Sequence, residues 1–186
     1  MTTTGLLLAA GAGRRMGKPK ALVEGWLPHA ADTLADCDRV VVVLGAAADE
    51  ARVLLDAHDV TIVVNPDWDE GMGSSLSIGL GHLLHGDATR CLVTLVDLPD
   101  VGADVVRRLL DQPDAEDVLA RAAYGGSPGH PVLIGRDHWA GVIASAEGDQ
   151  GARTYLGDHQ VTLVECGDLA GGRDVDRPTG GQPAPE

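Results

Sequence analysis

Two arginines and two lysines, Arg14, Arg15, Lys18 and Lys20, follow Gly11 and Gly13 in the segment LLAAGAGRRMGKPKAL, which begins at Leu7. Glycines let a backbone approach an anion with no Cβ in the way, and successive N–H groups form a concavity that binds one. Three ligand-binding arrangements compete for these residues. A Walker-type loop needs Gly, four residues, then Gly-Lys-Ser/Thr. Counting back from Gly17-Lys18 puts Ala12 at the first glycine, and Pro19 stands where the hydroxyl belongs, so that arrangement fails twice. A dinucleotide turn needs GxGxxG opening a helix. Gly11-Ala12-Gly13 fits it, but Met16 takes the third glycine's place and Pro19 disrupts the helix. The third is a longer loop that wraps a triphosphate, with Arg15 and Lys20 adding charge. The plain alternative is a tight turn with solvated basic side chains. It does not explain a basic cluster at the end of an apolar run in an acidic chain.

Two further stretches carry polar groups after apolar runs. Asn65-Pro66-Asp67-Trp68-Asp69-Glu70-Gly71-Met72-Gly73-Ser74-Ser75-Leu76 reads as a loop running into a helix. Ser74 and Ser75 fall near that helix's N-terminus, where N–H groups and hydroxyls are free to cap it or to bind a ligand. Leu95-Val96-Asp97-Leu98-Pro99 puts a carboxylate at the end of a buried strand, with Pro99 fixing the turn. A carboxylate there needs a partner. A Mg²⁺ ion held together with phosphate oxygens is one, and the cap of the next helix is another. His82 and His85 fall three apart with no third ligand indicated, and Asp67, Asp69 and Glu70 lack the spacing of a calcium loop, so neither group reads as a metal site.

The elements that must position these groups follow from the apolar pattern. Short runs at 5–9, 39–44, 60–64, 91–96, 131–134 and 161–164 read as strands. Stretches at 27–35, 47–57, 74–84 and 103–110 show helical spacing. Continuous apolar strands alternating with helices imply an α/β fold with a mostly parallel sheet covered on both faces. Ligands of such sheets sit at the carboxyl ends of the strands, and the polar stretches above fall there. The 171–186 segment, rich in Gly, Pro and charge, reads as ending in a mobile tail.

Composition narrows the function further. The chain has 186 residues, enough for one domain with a sizeable core. Phe is absent, so Val, Leu, Ile and Ala must build that core. A net charge of −14 argues against a nucleic-acid polymer as partner. Cys37, Cys91 and Cys166 are scattered, without a CxxC, which favours a reducing cytoplasm over a disulfide framework. The first residues lack a basic leader, and no run is long enough for a membrane span.

The segment LAAGAGRRMGKPKAL resembles the pattern LAAGxGxRMGxxKxL of the MobA-like nucleotidyltransferases, and within them it is most similar to the molybdenum cofactor cytidylyltransferase branch. Further matches run in order along nearly the whole chain. The resemblance implies a three-layer Rossmann-like fold, a single domain over residues 1–178 with a flexible tail at 179–186, and transfer of a nucleoside monophosphate from a triphosphate with release of pyrophosphate. It implies Mg²⁺ as cofactor, held by Asp97 of the DxP motif and by Asp176, which matches the second Asp of the family's DIDTP segment. It implies nucleotide contacts from Leu8, Ala9, Ala10, Gly11, Gly13, Arg15 and Lys20, and from Asn65, Gly73, Ser74 and Ser75 of the NPxWxxGMxxSLxxGL segment. Arg15, Lys20 and Asp97 become the catalytic set. The stretches GSPGHPV and GDQGAR place His130, Asp149 and Arg153 on the acceptor side.

CTP and a molybdopterin-type acceptor are the substrates this implies, since Ala10 gives LAAG where the guanylyltransferase branch reads LAGG. A molybdoenzyme under maturation is the implied protein partner. Alternatives are a guanylyl or other cofactor or sugar nucleotidyltransferase, a nucleotide-binding maturation factor without turnover, or an NAD(P)-binding module. The chain departs from the pattern twice. Arg177 and Thr179-Gly180-Gly181 replace the usual residues after Asp176, and a GxxPLLxxxxxxL stretch is missing after Leu22.

Overall fold

The structure, a computed structural model, describes residues 2–177. The tail expected at 179–186 lies outside them. Seven strands form one sheet: β1 (Thr2–Ala9), β2 (Arg39–Leu44), β3 (Thr61–Val64), β4 (Ala88–Leu95), β5 (Leu119–Tyr124), β6 (Ser127–Gly135) and β7 (Thr162–Glu165). Their order is β3-β2-β1-β4-β6-β5-β7. β6 runs antiparallel to β4 and β5, and every other pairing is parallel. The helices are α1 (Trp26–Asp32), α2 (Ala48–Val53), α3 (Met72–Leu83), α4 (Ala103–Leu110), α5 (Arg136–Ser145) and α6 (Arg153–Gly157).

Alternate residues of the central strands feed two cores. Leu7, Val42, Leu44, Leu92 and Leu133 pack with Leu27, Leu34, Val105 and Leu109, on the face covered by α1 and α4. Leu6, Leu8, Val41, Val43, Cys91 and Val93 pack with Leu76, Leu80, Trp139 and Val142, on the face covered by α3 and α5. Burial on both faces is why these strands read as unbroken apolar runs. Trp139 is fully buried, and its indole N–H donates to the Ile134 carbonyl at 3.0 Å, so this buried donor is satisfied. Gly79 lets α3 lie close on the sheet, because a Cβ there would come within 2.8 Å of Leu6 and 3.1 Å of Val43.

The chain winds outward from β1 to β2 and β3, then crosses back to β4 on the other side of β1. That reversal opens a crevice at the carboxyl ends of β1 and β4. The polar segments at 11–20 and 97–100 enter it. The region shortened after Leu22 contains no strand: a single 3-10 turn, Lys20–Leu22, leads by a short turn into α1.

Strand β5 and helices α5 and α6 are not evident in the apolar pattern. β5 reads LARAAY, too rich in alanine and too interrupted by Arg121 for a strand by propensity. It forms because β6 and β7 pair with it on either side.

Candidate active site

The loop after β1 closes on one carbonyl. The amides of Met16 and Gly17 both donate to Gly13 O, at 2.8 and 2.9 Å. Gly13 has φ 60°, and a Cβ there would strike the Lys18 carbonyl oxygen, so this position requires glycine. No helix opens at this loop, since α1 begins only at Trp26. The dinucleotide arrangement, in which a pyrophosphate rests on the helix N-terminus directly after the glycines, is therefore not formed here.

Lys20 reaches from this loop between two carboxylates. Its ammonium donates to Asp97 Oδ2 at 2.5 Å and to Asp176 Oδ1 at 2.7 Å. Arg15, largely exposed, pairs with Asp176 Oδ2 at 2.6 Å. Burial by itself lowers the Lys20 pKa, but the hydrogen bonds to Asp176 and Asp97 outweigh it, and the net displacement is upward. The same bond to Lys20, with help from Arg15 and Arg177, holds Asp176 below the ordinary carboxylate range.

Asp174 completes the group. Carboxylate oxygens of Asp97, Asp174 and Asp176 lie within 4.8 Å of one another, the one such cluster among the described residues. Asp97 Oδ1 is buried and has no hydrogen-bond partner among the described residues. An orphaned buried acceptor beside two more carboxylates fits a hard divalent cation, which takes oxygen ligands and satisfies that oxygen. Sequence reasoning passed over Asp174, although its place two residues before Asp176 was visible.

The segment that carries these two aspartates is tied down by backbone contacts. The Val175 amide donates to Asp97 O at 3.0 Å. Asp100 Oδ2 accepts the amides of Gly171 and Gly172, at 2.8 and 3.1 Å. Residues 171–177 are thus fixed against the end of β4 and the turn after it.

A cleft of about 640 Å³ surrounds this group, within the range of small-molecule sites. Leu8, Ala9, Ala10, Gly11, Gly13, Arg15 and Lys20 line it on one side, and Ser75, Asp149 and Arg153 on the other. Asn65, Gly73 and Ser74 do not line it. Asn65 is buried and donates to Ser74 Oγ and Ser75 Oγ, both at 2.9 Å, while its own Oδ1 accepts the Asp67 amide. The Ser74 hydroxyl bonds within the same loop, to Asp67 O and Gly71 O. These two residues brace the 65–75 loop. Gly73 instead gives close passage to the 146–147 backbone, which a Cβ would approach at 2.9 Å. Trp68, Gly71 and Met72 line the cleft in their place.

His130 faces a second, smaller chamber of about 80 Å³, whose wall includes Arg121, Val132 and Ile134 and which shares Leu8, Met72 and Arg153 with the cleft. Burial first, then the nearby Arg121 guanidinium, push the His130 imidazole down to about 4; Asp174 opposes them and Arg153 adds a smaller push in the same direction as Arg121. At neutral pH this ring is uncharged.

Residues 5–163 match the MobA-like NTP transferase domain. The chain belongs to that family. Among MobA-like relatives, it is 38% identical over 200 aligned residues to the nicotine blue oxidoreductase of Paenarthrobacter nicotinovorans, covering 93% of this chain and 91% of that one. It is 31% identical to the molybdenum cofactor guanylyltransferase of Rhodobacter capsulatus, covering 77% and 68%. Rv0371c from Mycobacterium tuberculosis H37Rv superposes with a TM-score of 0.75 at 30% identity over 89% of this chain and 88% of that one. A manganese complex of Rv0371c superposes at 0.71 with 28% identity, covering 89% of each chain. The MobA-like fold expected from the sequence is thus the fold observed. No helix among the described residues is long and apolar enough to cross a membrane.

Proposed function

We propose that this MobA-like chain transfers a nucleoside monophosphate from a Mg²⁺-bound triphosphate to a phosphorylated acceptor of the molybdopterin type. The observation that carries this reading is the convergence of Lys20, Asp97 and Asp176 at the end of the glycine-rich loop. Asp97 and Asp176 would hold the metal, with Asp174 beside them. When bound, Mg²⁺ supplies positive charge against the triphosphate oxygens. The loop amides, Arg15 and Lys20 hold the phosphates and stabilise the charge that gathers on them. An acceptor phosphate oxygen attacks the α-phosphorus, and the bond to the departing pyrophosphate breaks on the opposite side. His130, Asp149 and Arg153 present the acceptor. No side chain forms a covalent bond.

Two bases compete for the cleft. Ala10, which sits in the cleft wall, favours CTP through the LAAG resemblance. The guanylyltransferase name of a relative 31% identical favours GTP equally. Three buried free cysteines suit a cytoplasmic setting, where a molybdoenzyme would be the recipient of the finished cofactor.

A second reading rests on one observation, the 38% identity to a protein named as an oxidoreductase. It places a nicotinamide dinucleotide in the cleft instead. Pyrophosphate release from MgCTP and MgGTP, with and without molybdopterin, separates the two. Acceptor-dependent pyrophosphate supports transfer. NADPH oxidation without pyrophosphate release from either triphosphate overturns it.

A further inference from the structure

Arg121 is the one charged residue of β5, on a strand otherwise built of Leu, Ala and Tyr. It faces the α3 and α5 side, between the buried Leu119 and Ala123, and pairs in register with Val132 of β6. Its side chain is half-buried. Nε and Nη2 both donate to Gly129 O, at 3.1 and 3.0 Å, which fixes the guanidinium over the next strand and leaves Nη1 without a partner among the described residues. No carboxylate among the described residues pairs with it. The charge that acts on it is Arg153, of like sign, and burial together with that repulsion lowers its pKa. Arg153 also has no ion pair or hydrogen bond among the described residues. Two cations, one of them partly withdrawn from water, thus border a chamber with no ion-paired counter-charge among the described residues.

The chamber has two characters. Leu8, Leu76, Val93, Val132, Ile134 and Leu156 make its floor apolar, and Arg121, His130 and Arg153 form its polar rim. Arg153 also lines the larger cleft, so it stands where the two spaces join. A guanidinium fork matches a planar or tetrahedral oxyanion, and paired forks hold one more tightly than a lysine would.

We propose that Arg121 is a specificity-determining residue, which with Arg153 holds a phosphate group of the second substrate while an apolar part of that substrate enters the chamber. This rests on the two-substrate reading above and names the group that recognises the acceptor. Arg15 and Lys20 line the larger cleft and not the smaller chamber, so the acceptor's anion and the nucleotide's anions have separate cationic partners.

The test uses inorganic phosphate as probe and the His130 imidazole as reporter, followed by NMR in the full chain. The resonance is assigned by its loss in His130→Gln. Phosphate titration is expected to shift it saturably. Arg121→Met and Arg153→Met each weaken the apparent affinity by at least about tenfold, the loss of one charge-assisted contact. Arg121→Lys recovers part of it, and Arg52→Met, an exposed cation with no role in the site, leaves it unchanged. A saturable shift that survives both Arg121→Met and Arg153→Met, with melting temperature preserved, overturns the proposal, as does the absence of any saturable shift. MgCTP and MgGTP binding is measured on the same samples. Triphosphate binding with no phosphate effect at His130 defeats only this inference. A phosphate effect without triphosphate binding defeats the nucleotidyl reading and leaves the anion site standing.

Discussion

The Val175 amide donates to the Asp97 carbonyl at 3.0 Å, joining two residues that sit far apart in the chain. This backbone contact brings Asp174 and Asp176 to the end of β4. Without it, Asp97 would face Lys20 alone. The acidic group is therefore made by a C-terminal segment laid across the sheet, and its geometry depends on whatever holds that segment.

Asp100 is one such anchor, through the amides of Gly171 and Gly172. Asp100→Ala removes the acceptor for both. Transfer activity is expected to fall about ten- to a hundredfold, since displacement of one ligand by an ångström is enough for that. Asp100→Asn keeps one carbonyl oxygen and should recover part of the loss. The check is the metal concentration for half-maximal activity, which rises in Asp100→Ala while the melting temperature moves little.

Lys20 and Arg15 differ in burial, and so should their variants. Lys20 is flanked by two carboxylates, and Lys20→Met leaves those charges facing each other. Loss of stability of about 1.5–3 kcal/mol is expected, seen as a lower melting temperature without metal. The Arg15 pair with Asp176 is exposed and contributes at most about 1 kcal/mol to folding. Arg15→Met should leave the melting temperature nearly unchanged. Both variants are expected to raise the dissociation constant for triphosphate in a titration.

Gly73 separates α3 from the 146–147 backbone. In Gly73→Ala the new Cβ would lie 2.9 Å from Ala146 C and Glu147 N, neither of which can swing aside as a side chain would. Destabilisation of about 1–3 kcal/mol is expected, read by thermal melting. The displaced 146–151 loop carries Asp149, so the acceptor's KM should rise more than that of the triphosphate.

His130 gives stability a pH dependence. Its imidazole sits at about 4 in the folded protein against 6.5 when unperturbed. Between those values the unfolded chain binds a proton that the native chain does not. Stability from this group is therefore complete above about 6.5 and falls as the pH drops toward 4, by at most about 3 kcal/mol. Denaturant melts of wild type and His130→Gln from pH 7 to 4 check it. The variant should lose the part of the slope that His130 contributes.

Much of this architecture was legible in the residues. Apolar runs such as Arg39–Leu44 mark buried strands directly, because both faces of the sheet are covered. The glycine and basic pattern after β1 marked the loop, because Gly13 is required by the backbone. Other features were hidden by long-range causes. β5 exists through its neighbours rather than its own propensity, so Arg121 gave no local sign that it would point into a chamber. Asn65 and Ser74 carry ligand-type side chains, yet their hydrogen bonds close on each other, which no spacing reveals. The docking of residues 171–177 depends on Asp97 and Asp100, far away in sequence, which no local composition reveals.

The most direct measurement is thermal stabilisation of the purified chain by CTP, GTP, ATP, UTP and NADPH, each with and without Mg²⁺. Occupied at 100 times its dissociation constant, a ligand adds about 2.7 kcal/mol of stability. The account predicts a Mg²⁺-dependent rise with CTP or GTP that disappears in Asp97→Asn. No Mg²⁺-dependent rise with any triphosphate, or a rise with NADPH alone, would contradict it.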